Sequence, residues 1–371
     1  MMNTQEFFKQ KIQSIGQCPF HEYMQMALYD AQHGYYTTKE HVIGSSGDFI
    51  TAPELSPLFG ATLAKQALDI VRQLPASNIL ELGAGTGRLC VDVLKYLEAQ
   101  DALPETYFIL EVSATLKARQ QCLLQESLPH LVEKVQWLTE WPQDFIGVIL
   151  ANEVLDAMPV HRFMWSHGQV FESYIVWNEQ QSKLEETFLP SQNQELVAYV
   201  QSLKLASDTP YCSEVNLWLS GWISGLEQSL KQGVAILFDY GFPRHEYYHE
   251  DRTQGTLMCH ERHRAHPDFL YRPGMQDITA HVDFTHVAEE AHAQGLHILG
   301  YTHQAAFLLS NGILELMAEE KDERQYQRHS LDMKLLLQSH EMGEIFKVMA
   351  LGKDFDKGLT GFMFYDKRVS L

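Results

Sequence analysis

The residues best equipped for chemistry stand in Ile79-Leu-Glu81-Leu-Gly83-Ala84-Gly85-Thr-Gly87-Arg88, where an apolar strand runs into a glycine turn and then a helix from about Thr86. Glycine has no Cβ, so Gly83 and Gly85 reach backbone angles closed to other residues and let a ligand lie against the main chain. The first N–H groups of a following helix are unpaired and favour a carboxylate or phosphate. The spacing is Gly-x-Gly-x-Gly with Glu81 two residues before the first glycine, unlike the Gly-x-Gly-x-x-Gly of dinucleotide folds, and it points toward S-adenosylmethionine. A tight strand-to-helix connection without a ligand would use the same residues, so a second acid matters. Glu111 closes the next apolar run, Tyr107-Phe-Ile-Leu-Glu111, where nucleoside-binding α/β folds place an acid on the ribose hydroxyls. A solvated strand end is the alternative for Glu111.

These residues need a sheet to hold them. Short apolar runs alternate with helical stretches: Ile79–Leu82, Thr86–Leu97, Tyr107–Glu111, Ala114–Gln125, Val135–Leu138 and Gly147–Ala151, the pattern of a parallel α/β sheet. Val234–Phe238 reads as a further parallel strand after an insertion, which holds a strand at Val170–Trp177 and two helices within Gln192–Leu230. Late strands are expected at Leu296–Thr302, Phe346–Leu351 and Gly361–Tyr365, with amphipathic helices over Ala305–Glu341. The division expected is an N-terminal extension and cofactor lid over 1–60, then one domain over 61–371 with insertions at about 178–231 and 303–345.

At 371 residues and 45% hydrophobic composition the chain can bury a large core. A net charge of −20 opposes nucleic-acid partners, whose phosphates would be repelled, and suits a basic protein partner. No run is apolar enough for a transmembrane span, and the N-terminus lacks the basic start and apolar core of a secretory signal. The five cysteines are scattered without a Cys-x-x-Cys pair, which fits a reducing cytoplasm. His260, His263 and His266 recur every third residue, but the helical i, i+4 pair is missing and Arg262 and Arg264 would repel a cation, so no metal is expected.

Several further segments carry a family resemblance: Tyr23-Met-Gln-Met-Ala-Leu-Tyr29-Asp30, Gly34-Tyr-Tyr36, Gly47-Asp48-Phe-Ile-Thr51-Ala-Pro-Glu54 and Phe59-Gly60. Others follow at Ala151-Asn152-Glu153-Val-Leu-Asp156-Ala-Met-Pro159-Val, Asp239-Tyr-Gly241, Gly255-Thr256, Gly274-Met-Gln-Asp277-Ile-Thr279-Ala-His281-Val-Asp283-Phe284 and Phe346-Lys347-Val348. From about Phe20 to Leu351 the chain resembles the MidA family of methyltransferases, which includes a mitochondrial complex I assembly factor that methylates an arginine of a complex I subunit. The resemblance implies an S-adenosylmethionine-dependent enzyme with a seven-stranded Rossmann-like sheet, an N-terminal extension and helical insertions. It further implies a protein acceptor, such as a complex I subunit or its homologue.

With that chemistry in view, Gly83, Ala84 and Gly85 are expected beneath the methionine portion of the cofactor, and Glu81 near its ammonium or supporting the turn. Asn152, Glu153 and Asp156 follow a central strand at the edge where open α/β sheets bind ligands. Glu153 and Asp156 are the carboxylates expected to hold a guanidinium, unless Asn152 and Asp156 instead cap a following helix. Asp48 and Thr51, in a glycine-bounded segment, read as a cofactor cover or as a structural turn. Asp277, Thr279, His281 and Asp283 form a polar cluster that could line the acceptor side or cap a helix.

Overall fold

The computed structural model describes residues 3–38, 51–206 and 209–371. The glycine turn sits between β1 (Asn78–Leu82) and a helix (Arg88–Ala99). The other central strands are β2 (Tyr107–Leu110), β3 (Val135–Leu138), β4 (Phe145–Asn152), β5 (Leu230–Phe242), β6 (His297–His303) and β7 (Phe346–Lys353). β4 reads Phe-Ile-Gly-Val-Ile-Leu-Ala-Asn, a nearly unbroken apolar run that suits a strand covered on both faces.

These strands order as β6-β7-β5-β4-β1-β2-β3 in an eight-stranded mixed sheet, the eighth being the two-residue strand Val282–Asp283 paired with β5 off this path. β7 runs antiparallel to both β5 and β6, and the remaining pairs along the path are parallel. From β1 the chain steps outward to β2 and β3, then returns to β4 on the opposite side of β1. That reversal opens a crevice beyond the carboxyl ends of the strands. The register sets what meets there: Leu82 pairs with Leu110 and with Ala151, and Asn152 pairs with Phe238. Gly83, Glu111 and Asn152 therefore stand level at this edge of the sheet, with Glu153 one residue beyond.

Helices cover both faces. One core cluster joins the sheet to Pro57–Val71, Arg88–Ala99 and Gln304–Ser310 through residues such as Leu63, Val93 and Phe307, and the other to Leu219–Ser229 and Phe284–Ala293 through Ile223 and Val287. Local chemistry starts these helices: Ser56 accepts from the Leu58 N–H ahead of Pro57, and Asp283 accepts from the Thr285 and His286 N–H groups.

The chain between β4 and β5 departs from a purely helical insertion. Its strands His161–Ser166, Gln169–Asn178, Lys183–Pro190 and Tyr211–Val215 build a separate antiparallel sheet, joined by Cys18–Pro19 from the N-terminal region. The N-terminal helices Thr4–Ile15 and Phe20–Tyr29 pack into a third apolar cluster that includes Phe8, Tyr23, Ile175 and Phe269.

The late strand expected at Gly361–Tyr365 does not form. The Gly361 N–H donates 2.8 Å to Gln66 Oε1 within a single 3-10 turn, Thr360–Phe362, and Met363 and Phe364 are exposed. Nor does a helix start at Asp277, since Asp277–Thr279 is a short strand paired with Met258–His260 and the helix cap is Asp283. The five cysteines are unpaired thiols. No helix of the described residues is long and apolar enough to cross a membrane.

Candidate functional site

A cavity of about 640 Å³ opens beyond the carboxyl ends of β1, β2 and β4, within the size range of small-molecule sites. The turn after β1 forms its floor. Gly83, Gly85 and Gly87 have φ of 61°, 53° and 87°, a left-handed region that a Cβ resists, and at Gly83 and Gly85 main chain lines the space. Ala84 and Gly85 line it, and the Gly87 N–H closes the turn by donating 2.8 Å to the Ala84 carbonyl.

Acids are spaced around the wall. Glu81 is buried and accepts from the Tyr107 hydroxyl at 2.6 Å. Burial pushes its pKa up to about 7 although that hydrogen bond favours the charged form. Glu111 accepts at 2.8 Å from the Ser113 N–H and at 2.9 Å from Gln120 Nε2, which fixes its carboxylate at the cavity rather than in solvent. Burial raises its pKa, and these donors partly offset the rise.

Past β4 the chain turns sharply. Glu153 has φ of 53°, uncommon for a residue with a side chain, and its N–H donates 2.8 Å to the Phe238 carbonyl of β5. Asn152 Nδ2 donates 3.0 Å to Glu153 Oε1. Burial, then the neighbouring Asp156, raise Glu153 to about 8. Asp156 accepts from the Tyr240 hydroxyl, and burial raises it to about 6. No helix follows, so neither Asn152 nor Asp156 is a cap. The loop is held instead by Asp239, whose Oδ2 accepts from the Leu155 and Asp156 N–H groups at 2.9 and 3.2 Å. Burial and the neighbours Asp156 and Glu153 keep the Asp239 pKa well above the usual carboxylate range.

Among the described residues, Asn152 Oδ1 and Asp156 Oδ1 are buried acceptors with no hydrogen-bond partner, and both residues line the cavity. Orphaned acceptors of this kind are uncommon in folded proteins and call for a donor-bearing ligand. Tyr29 and Tyr36 stack beside them with ring centroids 5.6 Å apart. The Tyr29 hydroxyl donates 2.9 Å to the Ala157 carbonyl, and the Tyr36 hydroxyl donates 2.9 Å to Asp277 Oδ1. Acid groups and aromatic faces together make a site suited to a cation.

The sequence-predicted residues divide accordingly. Thr51, Glu81, Gly83, Ala84, Gly85, Glu111, Asn152, Glu153 and Asp156 all line the cavity. Asp277 does not line the cavity and accepts from the hydroxyl of Tyr36, which does. His281 lies elsewhere: its ring stacks on Phe242 at 5.3 Å, Nδ1 is 3.2 Å from the Thr256 carbonyl, and burial lowers its pKa to about 4. Asp48 falls outside the described residues. Thr51 precedes the short helix Ala52–Leu55, whose Glu54 accepts from the Thr86 hydroxyl and so ties this segment to the glycine turn. His260 and His266 occupy paired strands, with His263 in the turn between them. Tyr29, Tyr36, Tyr240 and the indoles Trp141 and Trp222 were not singled out from sequence. The tyrosines do fall inside the motifs quoted above, the one available signal, and Trp222 comes from the inserted helix Leu219–Ser229.

The glycine floor, the fixed carboxylate at the end of β2 and the acid beneath the turn fit an amino acid joined to a nucleoside. Comparison with known proteins agrees. Residues 62–302 match the Methyltransf_28 family of S-adenosyl-L-methionine-dependent methyltransferases. A protein from Drosophila melanogaster named protein arginine methyltransferase NDUFAF7 homolog, mitochondrial, is 31% identical, with 92% of this chain and 83% of the fly protein covered. The human protein arginine methyltransferase NDUFAF7, mitochondrial, is 28% identical over 92% of this chain and 81% of its own length. A COG1565 superfamily member from Burkholderia thailandensis, crystallised with S-adenosyl-homocysteine, is 36% identical with a TM-score of 0.94, covering 99% of this chain and 96% of that one.

The relatives overturn one expectation. Fly, mouse and human proteins are named as mitochondrial, against the cytoplasmic placement expected here. Unpaired cysteines suit any reducing compartment and do not select the cytoplasm. The family match, the covered length of the relatives and the cavity at the glycine turn together make this chain a member of the MidA/NDUFAF7 family of S-adenosyl-L-methionine-dependent methyltransferases.

Proposed function

We propose that this protein methylates an arginine side chain of a partner protein. The observation that carries the reading is the pair of carboxyls Glu153 and Asp156, one with an orphaned oxygen, sharing a cavity with the glycine turn and Glu111. In this reading Gly83, Ala84, Gly85 and Glu81 hold the amino-acid end of S-adenosylmethionine, Glu111 its ribose, and Thr51 and Asn152 its flanks. The cofactor supplies an electrophilic methyl on a sulfonium.

The chain's own residues then manage the acceptor. A guanidinium entering between Glu153 and Asp156 favours their ionised forms, offsetting the burial that otherwise holds protons on them. Glu153 and Asp156 fix the planar cation, with Tyr29 and Tyr36 limiting its approach, and positioning supplies much of the acceleration. Arginine does not release its proton in solution, so Glu153 takes it as the new C–N bond forms. Asp277 acts one step back, through the Tyr36 hydroxyl, and Tyr240 orients Asp156. Relatives named protein arginine methyltransferases support this acceptor, and the family resemblance suggests a respiratory complex I subunit or homologue as its source.

Incubation with isotope-labelled S-adenosylmethionine and cell lysate tests the proposal, followed by mass spectrometry of labelled proteins. Methylated arginine in a protein band is expected. Label on another side chain or only in the small-molecule fraction redirects the acceptor, and no transfer despite cofactor binding leaves a binding factor without turnover.

A further inference from the structure

A second cluster lies away from the cavity, where three separate elements converge. His21 stands in the first turn of the helix Phe20–Tyr29, His161 opens one strand of the small antiparallel sheet, and Glu172 lies on the adjacent strand. The two imidazoles stack with centroids 3.9 Å apart, and His161 Nδ1 is 3.2 Å from Glu172 Oε1. One donor atom from each of the three residues lies within 4.8 Å of the others, the one such group of histidine, cysteine and carboxylate donors among the described residues.

A simple hydrogen-bonded cluster leaves part of this unexplained. His21 Nδ1 is buried and has no partner among the described residues. Glu172 is anchored from behind, its Oε2 accepting from Ser191 Oγ at 3.1 Å, the kind of outer contact that orients a ligating carboxylate. His161 and Glu172 are both buried. Ligands bound tetrahedrally at about 2.1 Å stand roughly 3.4 Å apart, so the His161–Glu172 pair already has a suitable span, and His21 completes three ligands by turning out of its stack on His161.

We propose that His21, His161 and Glu172 form a binding site for a divalent transition cation, with zinc as the ion their nitrogen and oxygen donors suit. None of the three lines the large cavity, so the ion serves structure and not methyl transfer. It clamps the start of the helix Phe20–Tyr29 to the small sheet. Tyr29 sits about 12 Å further along that helix, at 1.5 Å per residue, and its hydroxyl holds the loop after β4 through Ala157. The clamp thereby sets one wall of the acceptor site.

The test uses the full chain, stripped of metal with a chelator and titrated calorimetrically with zinc chloride. One equivalent of zinc should bind and raise the melting temperature, and cobalt should give the visible absorption of a low-coordinate ion. His161→Ala and Glu172→Gln should weaken binding roughly tenfold or more, with the exposed His167→Ala as an unaffected control. X-ray absorption on the zinc-loaded native chain should show two imidazoles and oxygen, a readout that stands even where a variant misfolds. No uptake by the folded native chain, sulfur ligation or all-oxygen ligation, or uptake unchanged in both folded variants would each overturn the site.

Discussion

At the scale of single residues, the site sets its carboxyls apart by environment. Burial raises the pKa of both Glu111 and Glu153, but a backbone N–H and an amide offset part of the rise at Glu111, whereas Asp156 adds to it at Glu153. The roles proposed for them predict different failures. Glu153→Gln preserves shape and removes the charge that offsets a guanidinium, so turnover should fall by roughly 10²-fold or more with cofactor affinity nearly unchanged. Steady-state kinetics and calorimetry on one preparation check this, and a matched loss of cofactor binding would move Glu153 to the cofactor side. Glu111→Ala should do the reverse, costing about 1.5–3 kcal/mol of cofactor affinity, the scale of hydrogen bonds to a charged acceptor. Unchanged affinity would remove Glu111 from the ribose.

At the scale of elements, the turn from β1 into Arg88–Ala99 carries the binding reading, because three consecutive odd positions hold left-handed glycines. Gly85→Val would place a branched side chain both in the cavity and at a φ of 53° that such a residue resists. The sheet beneath is held by the parallel partners of β1 on both sides, which the substitution leaves alone. Cofactor binding should therefore be lost while circular dichroism still reports a folded chain. Normal affinity in this variant would place the cofactor elsewhere.

At the scale of the molecule, the buried acids tie stability to pH. Asp156, Glu81 and Glu153, raised to about 6, 7 and 8, hold protons in the folded chain where the unfolded chain, with carboxyl pKa values near about 4, has already released them. The folded state thus binds more protons across that window, so stability from this source is full below about pH 4 and drains as pH rises through the folded values. The melting temperature of the ligand-free protein should fall by several degrees between about pH 5 and pH 8, and Glu153→Gln should flatten the upper part of that fall. S-adenosyl-homocysteine at about 100-fold its Kd should add about 2.7 kcal/mol by mass action. A Glu153→Gln curve parallel to the native one would show that Glu153 is ionised throughout.

What was legible in the sequence is what local patterning controls. The apolar run, the glycines and the alternation of strand and helix specify β1, the turn after it and Glu111, because strand burial and backbone conformation depend on residues only a few positions apart. The motif after β4 likewise marked Asn152, Glu153 and Asp156, yet left open whether Asn152 and Asp156 cap a helix, and no helix follows. Tertiary structure decided that. Tyr240 reaches Asp156 across 84 residues only because β5 lies beside β4 with Phe238 opposite Asn152, and Tyr36 reaches Asp277 across 241. His281 shows the reverse case, a histidine in a suggestive motif that stacks on Phe242 where the adjoining strand Val282–Asp283 pairs with β5. Of the small antiparallel sheet only the strand at Val170–Trp177 was legible, and the convergence of His21, His161 and Glu172 was hidden. Burial, which moves the pKa values, is a property of the assembled layers and has no local signature, so the residues could be named from the chain while their charge states waited on the fold.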